Sequence, residues 1–520
     1  MLQQLTDQDA MFLYGETADT PTHIGGLSLV DLPEGYRGDF FADYKATIAS
    51  RMALVPFMHT RVARVPLDLD RPFWVEAEHI DLDHHVRRVT VPEPGTLREL
   101  EALVAMLHAR PLDRDRPLWE FYVIDGLASG QLAVYTKMHH AAMDGAASQQ
   151  LIATMYDPTP APRTLAGPAL DLVHHRGSAR NLVRSLLARR VQQAIRAVQY
   201  VPDLLRAGSR LLLPDAATLR YRPIHAVPRA PTTLLNVGIN RHRVYAARTL
   251  PLSQVKQLAR LTGTTVNDVI LAICSGALRG YLDDKRALPA RSLTAMVPVS
   301  TRAPGDYALR NQNALLLCSL ASDVADPRER LLAIHRSTVA QKQNVELWKD
   351  LPVPDVVVPG LGAIVRRMVE LYGHSGFAGR PPLVGNLVIS NVPSSPVPLY
   401  IAGARIASMY PCSIPFHGQA VNITVESYCD RLDFGLIACR RAVPDVAQLA
   451  DRLAGALAEL QRAVAASCPV VLPAPVVVDL DRRAERAAIR APERVAHSAA
   501  IGPLVVDPGN GRRRAVELPT

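Results

Sequence analysis

Aromatic side chains are scarce in this chain, at 5% of 520 residues against 48% hydrophobic overall. Its core must therefore be mainly aliphatic. No nucleic-acid motif occurs, and no basic run is interleaved with aromatics, so nucleic acid is set aside as a partner. Cysteine is also sparse. The six cysteines, at positions 274, 318, 412, 429, 439 and 468, form no C-x-x-C pair. That spacing excludes a disulfide framework or a cysteine zinc site and reads as reduced cytosolic thiols. No uncharged apolar run reaches the length needed to cross a bilayer; the stretch 465–478 is short and broken by prolines. The N-terminus lacks a basic segment ahead of an apolar one, so no secretory signal is expected. These absences predict a cytoplasmic protein, soluble or peripheral.

What is abundant is positive charge. The formal net charge is +9, with a pI near 9.3. Such a balance suits an anionic partner, and with nucleic acid set aside, a membrane surface or a nucleotide-bearing substrate remains. The length allows two to four domains of ordinary size.

Periodicity places elements along the chain. Thr6 or Asp7 caps a short helix carrying Met11, Phe12 and Leu13. Strands are expected over 25–30, 60–65, 73–77, 120–124 and 132–138, and helices over 39–54, 96–108 and 146–155. Residues 157–176 read as a proline-rich linker. Residues 177–213 form a basic helix, with seven arginines against one acid; it reads either as a membrane-surface helix or as a crossing between domains. Beyond it come strands at 243–250, 292–299, 311–319 and 387–391, a hairpin over 421–439, and helices over 252–260, 264–282, 327–344 and 446–465. The tail after Ser467 has no periodicity and is expected to be disordered.

The stretch Met138-His139-His140-Ala141-Ala142-Met143-Asp144-Gly145 reads H-H-x-x-x-D-G. It falls where a strand ends and a helix begins, a place that holds an imidazole rigidly yet leaves it reachable. The pairs His84-His85 and His174-His175 lack the following Asp-Gly and stand beside arginines, so both read as solvated surface. Spacing alone leaves two readings of His140. It is a satisfied strand-end histidine with Asp144 capping the next helix, or it is a general base.

H-H-x-x-x-D-G resembles the active-site motif of the chloramphenicol acetyltransferase and condensation-domain superfamily. Further stretches narrow the resemblance to the bacterial wax ester synthase/diacylglycerol acyltransferase family. They are residues 5–25 with Glu16, Pro117-Leu118-Trp119, Asn267-Asp268, and Asn391-Val392-Pro393. Two departures are present: Thr22 where the family usually has Met, and Ser394-Ser395 in place of a single Gly.

The resemblance implies an α/β fold: two chloramphenicol-acetyltransferase-like domains with mixed sheets and an active-site tunnel between them. The corresponding division is an N-terminal domain over 1–168, a linker and basic helix over 169–230, a C-terminal domain over 231–466, and the tail 467–520. It implies His140 as general base, with His139, Asp144 and Gly145 supporting the turn. Asp144 would sit in a structural ion pair, with Arg302 one candidate partner. Glu16, Trp119, Asn267, Asp268 and Asn391 would lie around the substrates, Trp119 on an acyl-binding channel and Asn267 near the oxyanion. Each has a plainer reading beside it: Glu16 as a helix-end carboxylate, Trp119 as core, Asn267-Asp268 as a helix cap.

The implied activity moves a long-chain acyl group from acyl-coenzyme A to diacylglycerol, and to a lesser degree to long-chain alcohols. No G-x-S-x-G elbow or Cys–His pairing is evident, so no covalent acyl-enzyme is expected, and no cofactor beyond acyl-coenzyme A as substrate. The expected setting is an anionic membrane surface or a lipid inclusion. Two alternatives remain: a condensation-type enzyme using a carrier-bound donor, and a non-catalytic lipid-inclusion protein.

Overall fold

The computed structural model describes residues 3–65, 70–143, 145–165, 228–300, 313–348, 361–381 and 383–467. In chain order the strands are β1 (Gln3–Gln4), β2 (His23–Asp31), β3 (Thr60–Ala63), β4 (Phe73–Glu76), β5 (Val86–Thr90), β6 (Trp119–Asp125), β7 (Leu132–His139), β8 (Arg243–Pro251), β9 (Thr294–Ser300), β10 (Asn313–Ser319), β11 (Leu387–Pro393), β12 (Tyr400–Ile401), β13 (Ala404–Cys412), β14 (Val421–Tyr428) and β15 (Arg431–Cys439).

Two six-stranded mixed sheets carry the fold. The first runs β12-β13-β2-β7-β6-β5 and the second β10-β9-β11-β14-β15-β8; β1, β4 and β3 make a small third sheet. In the first sheet only β5 and β6 are parallel. Their crossover is the helix Leu97–His108, whose Thr96 and Glu99 close a reciprocal capping box. In the second, β11 runs parallel to both β9 and β14.

The expected cut at residue 231 does not separate the two sheets. β12 and β13 come from the second half of the chain, yet β13 pairs along β2 in the first sheet. The reason is packing. β13 is buried along most of its length, and its neighbours come from both halves. Of the residues expected to form the linker and basic helix, only 157–165 and 228–230 are described; the rest, the tail after Ser467, and His174-His175 lie outside the described residues.

Strand alternation gives each sheet two apolar faces. On β7, Val134 and Met138 join one apolar cluster with Val30, Ile48 and Met155. Ala133 and Tyr135 point the other way and pack with Tyr245, Ala247 and Ile437 of the second sheet. The sheets also meet through polar contacts. Glu101 accepts from the Ala247 amide at 2.8 Å and pairs with Arg248 at 2.7 Å. Met409 N–H donates to Asp433 at 2.8 Å. At the closest approach, a Cβ on Gly435 would lie 1.7 Å from the Pro411 carbonyl oxygen. Only glycine fits there.

The second sheet's other face is covered by Leu252–Thr262, Val266–Asp284, Pro327–Trp348 and Val446–Ser467 around a large aliphatic core. Among the described residues, no single helix is long and apolar enough to cross a membrane.

Candidate active site

β7 ends at His139, and His140 opens a single 3-10 turn, His140–Ala142. Backbone bonds fix this corner from two sides. His139 N–H donates to Leu118 O at 3.0 Å, and His140 N–H to Thr22 O at 3.0 Å. The Pro-Leu-Trp stretch and the start of β2 thus hold the two histidines in place.

His139 is fully buried. Its Nδ1 accepts the Ala141 N–H at 3.1 Å, so the ring proton sits on Nε2, 3.0 Å from Thr22 Oγ1. Thr22 in turn donates to Phe12 O at 2.8 Å. Glu16 lies behind, its Oε1 3.6 Å from His139 Nε2 and 3.3 Å from the Thr22 amide. Arg114 grips the other carboxylate oxygen, with Nε at 2.8 Å. Burial acts to raise the Glu16 pKa, but the neighbouring imidazole and guanidinium outweigh it and hold it at about 2. Glu16 is therefore both the helix-end carboxylate and the acidic group set against the histidine pair's buried member.

His140 has a different setting. It is half-buried, and its ring lies flat on that of Phe12, centroids 3.9 Å apart and planes 9° from parallel. Phe12 belongs to the helix Asp7–Gly15, which Thr6 caps by accepting from Asp9 N–H. One imidazole is thus locked into a polar network, and the other is oriented by an aromatic face.

The remaining expected residues divide. Trp119 is buried, stacked on His85 at 4.3 Å, and donates to Met58 O at 3.0 Å. Its packing also corrects the reading of His84-His85 as solvated surface. His85 is buried because the indole covers its ring, and burial pushes its pKa down to about 4.

Asp268 is a helix cap. With Thr265 it closes a reciprocal box at the start of Val266–Asp284. It also accepts from Thr338 at 2.7 Å and bonds His335 Nδ1 at 2.8 Å, tying that helix to Pro327–Trp348. Burial raises its pKa, but these bonds prevail and keep it below the usual range. Asn267 is half-buried beside it. Asn391 lies on β11 opposite Val425 of β14, with a buried Oδ1 that accepts no hydrogen bond from the described residues. Ser394 and Ser395 bond across to Ser427 and Cys429 through the backbone. Gly145 opens the helix Gly145–Met155; Asp144 and Arg302 lie outside the described residues.

Three site residues went unnamed in the functional reading of the sequence: Phe12, Thr22 and Arg114. Thr22 had a signal, as the departure beside Glu16. Arg114 lies in a run of alternating arginine and aspartate that looks solvated.

A cavity of about 480 Å³ opens beside Leu13, Tyr14 and Arg114, and a second, of about 340 Å³, beside Asp19 and His374. Neither of these two is lined by His140, as the expected tunnel would be. Among the described residues, no group of histidine, cysteine and acidic side chains is arranged to hold a metal ion.

Two mixed sheets with a histidine pair at the end of a central strand are the arrangement that the resemblance to chloramphenicol-acetyltransferase-like folds implied. Sequence comparison carries this further. The model of the wax ester synthase/diacylglycerol acyltransferase catalytic domain matches residues 5–270, and that of the WS/DGAT C-terminal domain matches residues 309–461. The chain belongs to the wax ester synthase/diacylglycerol acyltransferase family.

A Mycobacterium tuberculosis H37Rv protein named "Probable diacyglycerol O-acyltransferase tgs2" is 36% identical over 470 residues, covering 88% of this chain and 98% of that one. The "O-acyltransferase WSD" of Acinetobacter baylyi is 34% identical over 453 residues, covering 86% and 94%. Among solved structures, the wax ester synthase/diacylglycerol acyltransferase of Marinobacter aquaeolei VT8 matches with a TM-score of 0.62 at 31% identity, over 89% of this chain and all of that one. The first condensation domain of the calcium-dependent antibiotic synthetase shares the fold at 15% identity and a TM-score of 0.52, over 92% of this chain and all of that one.

Proposed function

We propose that this acyltransferase moves a long-chain acyl group from acyl-coenzyme A to diacylglycerol, and less readily to long-chain alcohols, with His140 as the base. The observation that carries the reading is the placement of His140, half-buried at the turn after β7 with its ring held flat against Phe12, beside a His139 locked in the polar network. A neutral imidazole there takes the hydroxyl proton as the alcohol oxygen bonds to the thioester carbonyl carbon. The tetrahedral intermediate then collapses, the carbon–sulfur bond breaks, and the departing thiolate takes the proton back from the imidazolium. The thiolate is a good leaving group, so this route asks for no metal and no covalent enzyme intermediate.

The lipid side of the reading rests on a surface. On the helix Leu361–His374, Ile364, Met368 and Leu371 are each at least half exposed and recur at helical spacing. Phe377 adds to this face, with Arg380 stacked over its ring. Arg367 stands beside it, 70% exposed. An apolar stripe flanked by arginines suits docking on an anionic lipid surface, a membrane or a lipid inclusion.

One competition experiment tests the reading. Purified protein receives acyl-coenzyme A with diacylglycerol, hexadecanol and a short alcohol together. Triacylglycerol should dominate, with wax ester second. A win for the short alcohol would refute the lipid acceptor. Turnover only with a carrier-bound donor would favour a condensation-type enzyme, and no turnover with either donor a binding protein.

A further inference from the structure

The cavity beside Arg114 has an unusual lining. Arg61, Arg64, Arg114 and Arg366 all reach it, and among the described residues the one acid on its wall is Asp115. Arg114 has Glu16 as a partner. Among the described residues, the buried Nε of Arg366 makes no hydrogen bond, and the Arg61 side chain has no hydrogen-bond or ion-pair partner. Like charges converging on one partly enclosed space repel one another, and a desolvated guanidinium N–H without an acceptor is costly. Both penalties vanish when an anion with several oxygen acceptors occupies the space, and phosphate groups match guanidinium geometry best.

The position narrows the ligand. The helix Asp7–Gly15 separates the cavity from the proposed base: Leu13 and Tyr14 line the cavity, while Phe12 stacks on His140. The distance to cover is then about one helix width, roughly 10 Å. The pantetheine arm of coenzyme A joins a thioester to a set of phosphates and is long enough to cover it. We propose that the arginine-lined cavity seats the phosphate groups of the nucleotide end of the acyl donor. This rests on the acyl-coenzyme A reading above and adds where the donor's charge is held.

The site also touches the histidine network. Arg114 is shared between the cavity and Glu16, and Glu16 lies against His139. Donor phosphates therefore bind next to the ion pair that backs the histidine pair.

The test uses the full chain and direct binding. The protein is titrated with free coenzyme A and with pantetheine, which has the arm but no phosphates, by calorimetry at low and high salt. Coenzyme A should bind at least about tenfold more tightly than pantetheine, with an advantage that shrinks as salt rises. Arg61→Ala and Arg366→Ala should each weaken coenzyme A about tenfold and leave pantetheine nearly unchanged. Neither variant should melt lower than the parent, because each relieves repulsion.

Equal binding of the two ligands, or variants that hold coenzyme A as the parent does, would overturn the proposal. So would variants that lose anionic phospholipid vesicles but keep coenzyme A, which would assign the arginines to headgroups. The readout is separate from turnover. Coenzyme A bound through these arginines without acyl transfer would refute the acyltransferase reading and leave the subsite standing. Acyl transfer with unaffected variants would do the reverse.

Discussion

The rings of Phe12 and His140 lie face to face, 3.9 Å apart and nearly parallel. This contact sets the plane of the imidazole proposed to accept the proton, so orientation and chemistry can be separated by mutation. His140→Ala should lower acyl transfer by about two to four orders of magnitude with an unchanged melting curve. Phe12→Leu should cost less, because it loosens the ring without removing it. Near-normal turnover by the His140 variant would end its assignment as base.

His139 should behave differently from its neighbour. It is fully buried and bonded at both ring nitrogens. His139→Ala strands Thr22 and the Ala141 amide and should cost about 2–4 kcal/mol in denaturant unfolding. A variant as stable as the parent would show that the network is dispensable.

Asp268 offers a second contrast between motif and mechanism. Asp268→Ala removes a cap and two bonds between helices and should destabilise by about 2–4 kcal/mol. Asp268→Asn keeps part of the cap and should recover part of both stability and turnover. Full stability with lost activity in the alanine variant would move Asp268 to the chemistry instead.

Two glutamates should give opposite pH signatures. Glu16 is held at about 2, so its stabilisation is complete above an ordinary carboxyl value near 4.5 and is lost as pH falls toward 2. Glu426 is pushed up to about 7 by burial, with a Ser394 hydrogen bond opposing and Asp433 adding to the rise. The unfolded chain ionises that carboxyl first, so stability falls as pH rises from about 4.5 to 7, then levels. Glu426→Gln should raise the melting temperature at pH 8, by the equivalent of about 1–3 kcal/mol, and not at pH 4. A shift of the same size at both pH values would refute the buried-acid account.

Gly435→Ala tests the junction of the two sheets. Its Cβ would meet the Pro411 carbonyl oxygen and crowd the Tyr245 hydroxyl. Overpacking of this kind costs about 1–3 kcal/mol, and more where backbone cannot yield. An unshifted unfolding midpoint would mean that β13 and β15 part more easily than their contacts suggest.

Local features were legible in the sequence. Of the two candidate caps Thr6 and Asp7, Thr6 caps the first helix, and the helices expected over 96–108 and 264–282 begin within two residues of their threonine caps, because capping depends on residues three apart. The strand before His139 and the hairpin around Asp430 followed from alternation. Long-range features were not. β13 was missed, since its partner β2 lies more than 370 residues away and burial on both sides erases its alternation. His85 looked solvated because the ring that covers it, Trp119, is distant in sequence. The apolar stripe of Leu361–His374 faces outward, where no packing argument calls for it.

β13 has a consequence for how the molecule is made. β2 and β7 leave the ribosome early, but the strand that completes their sheet follows more than 250 residues behind the histidines. At about 5–20 residues per second, the nascent chain holds an open sheet edge beside its histidine pair for tens of seconds. A fragment ending anywhere between residues 145 and 404 contains all of H-H-x-x-x-D-G and lacks a wall of the sheet that positions it. The motif is complete early; the enzyme is complete only near the end of translation.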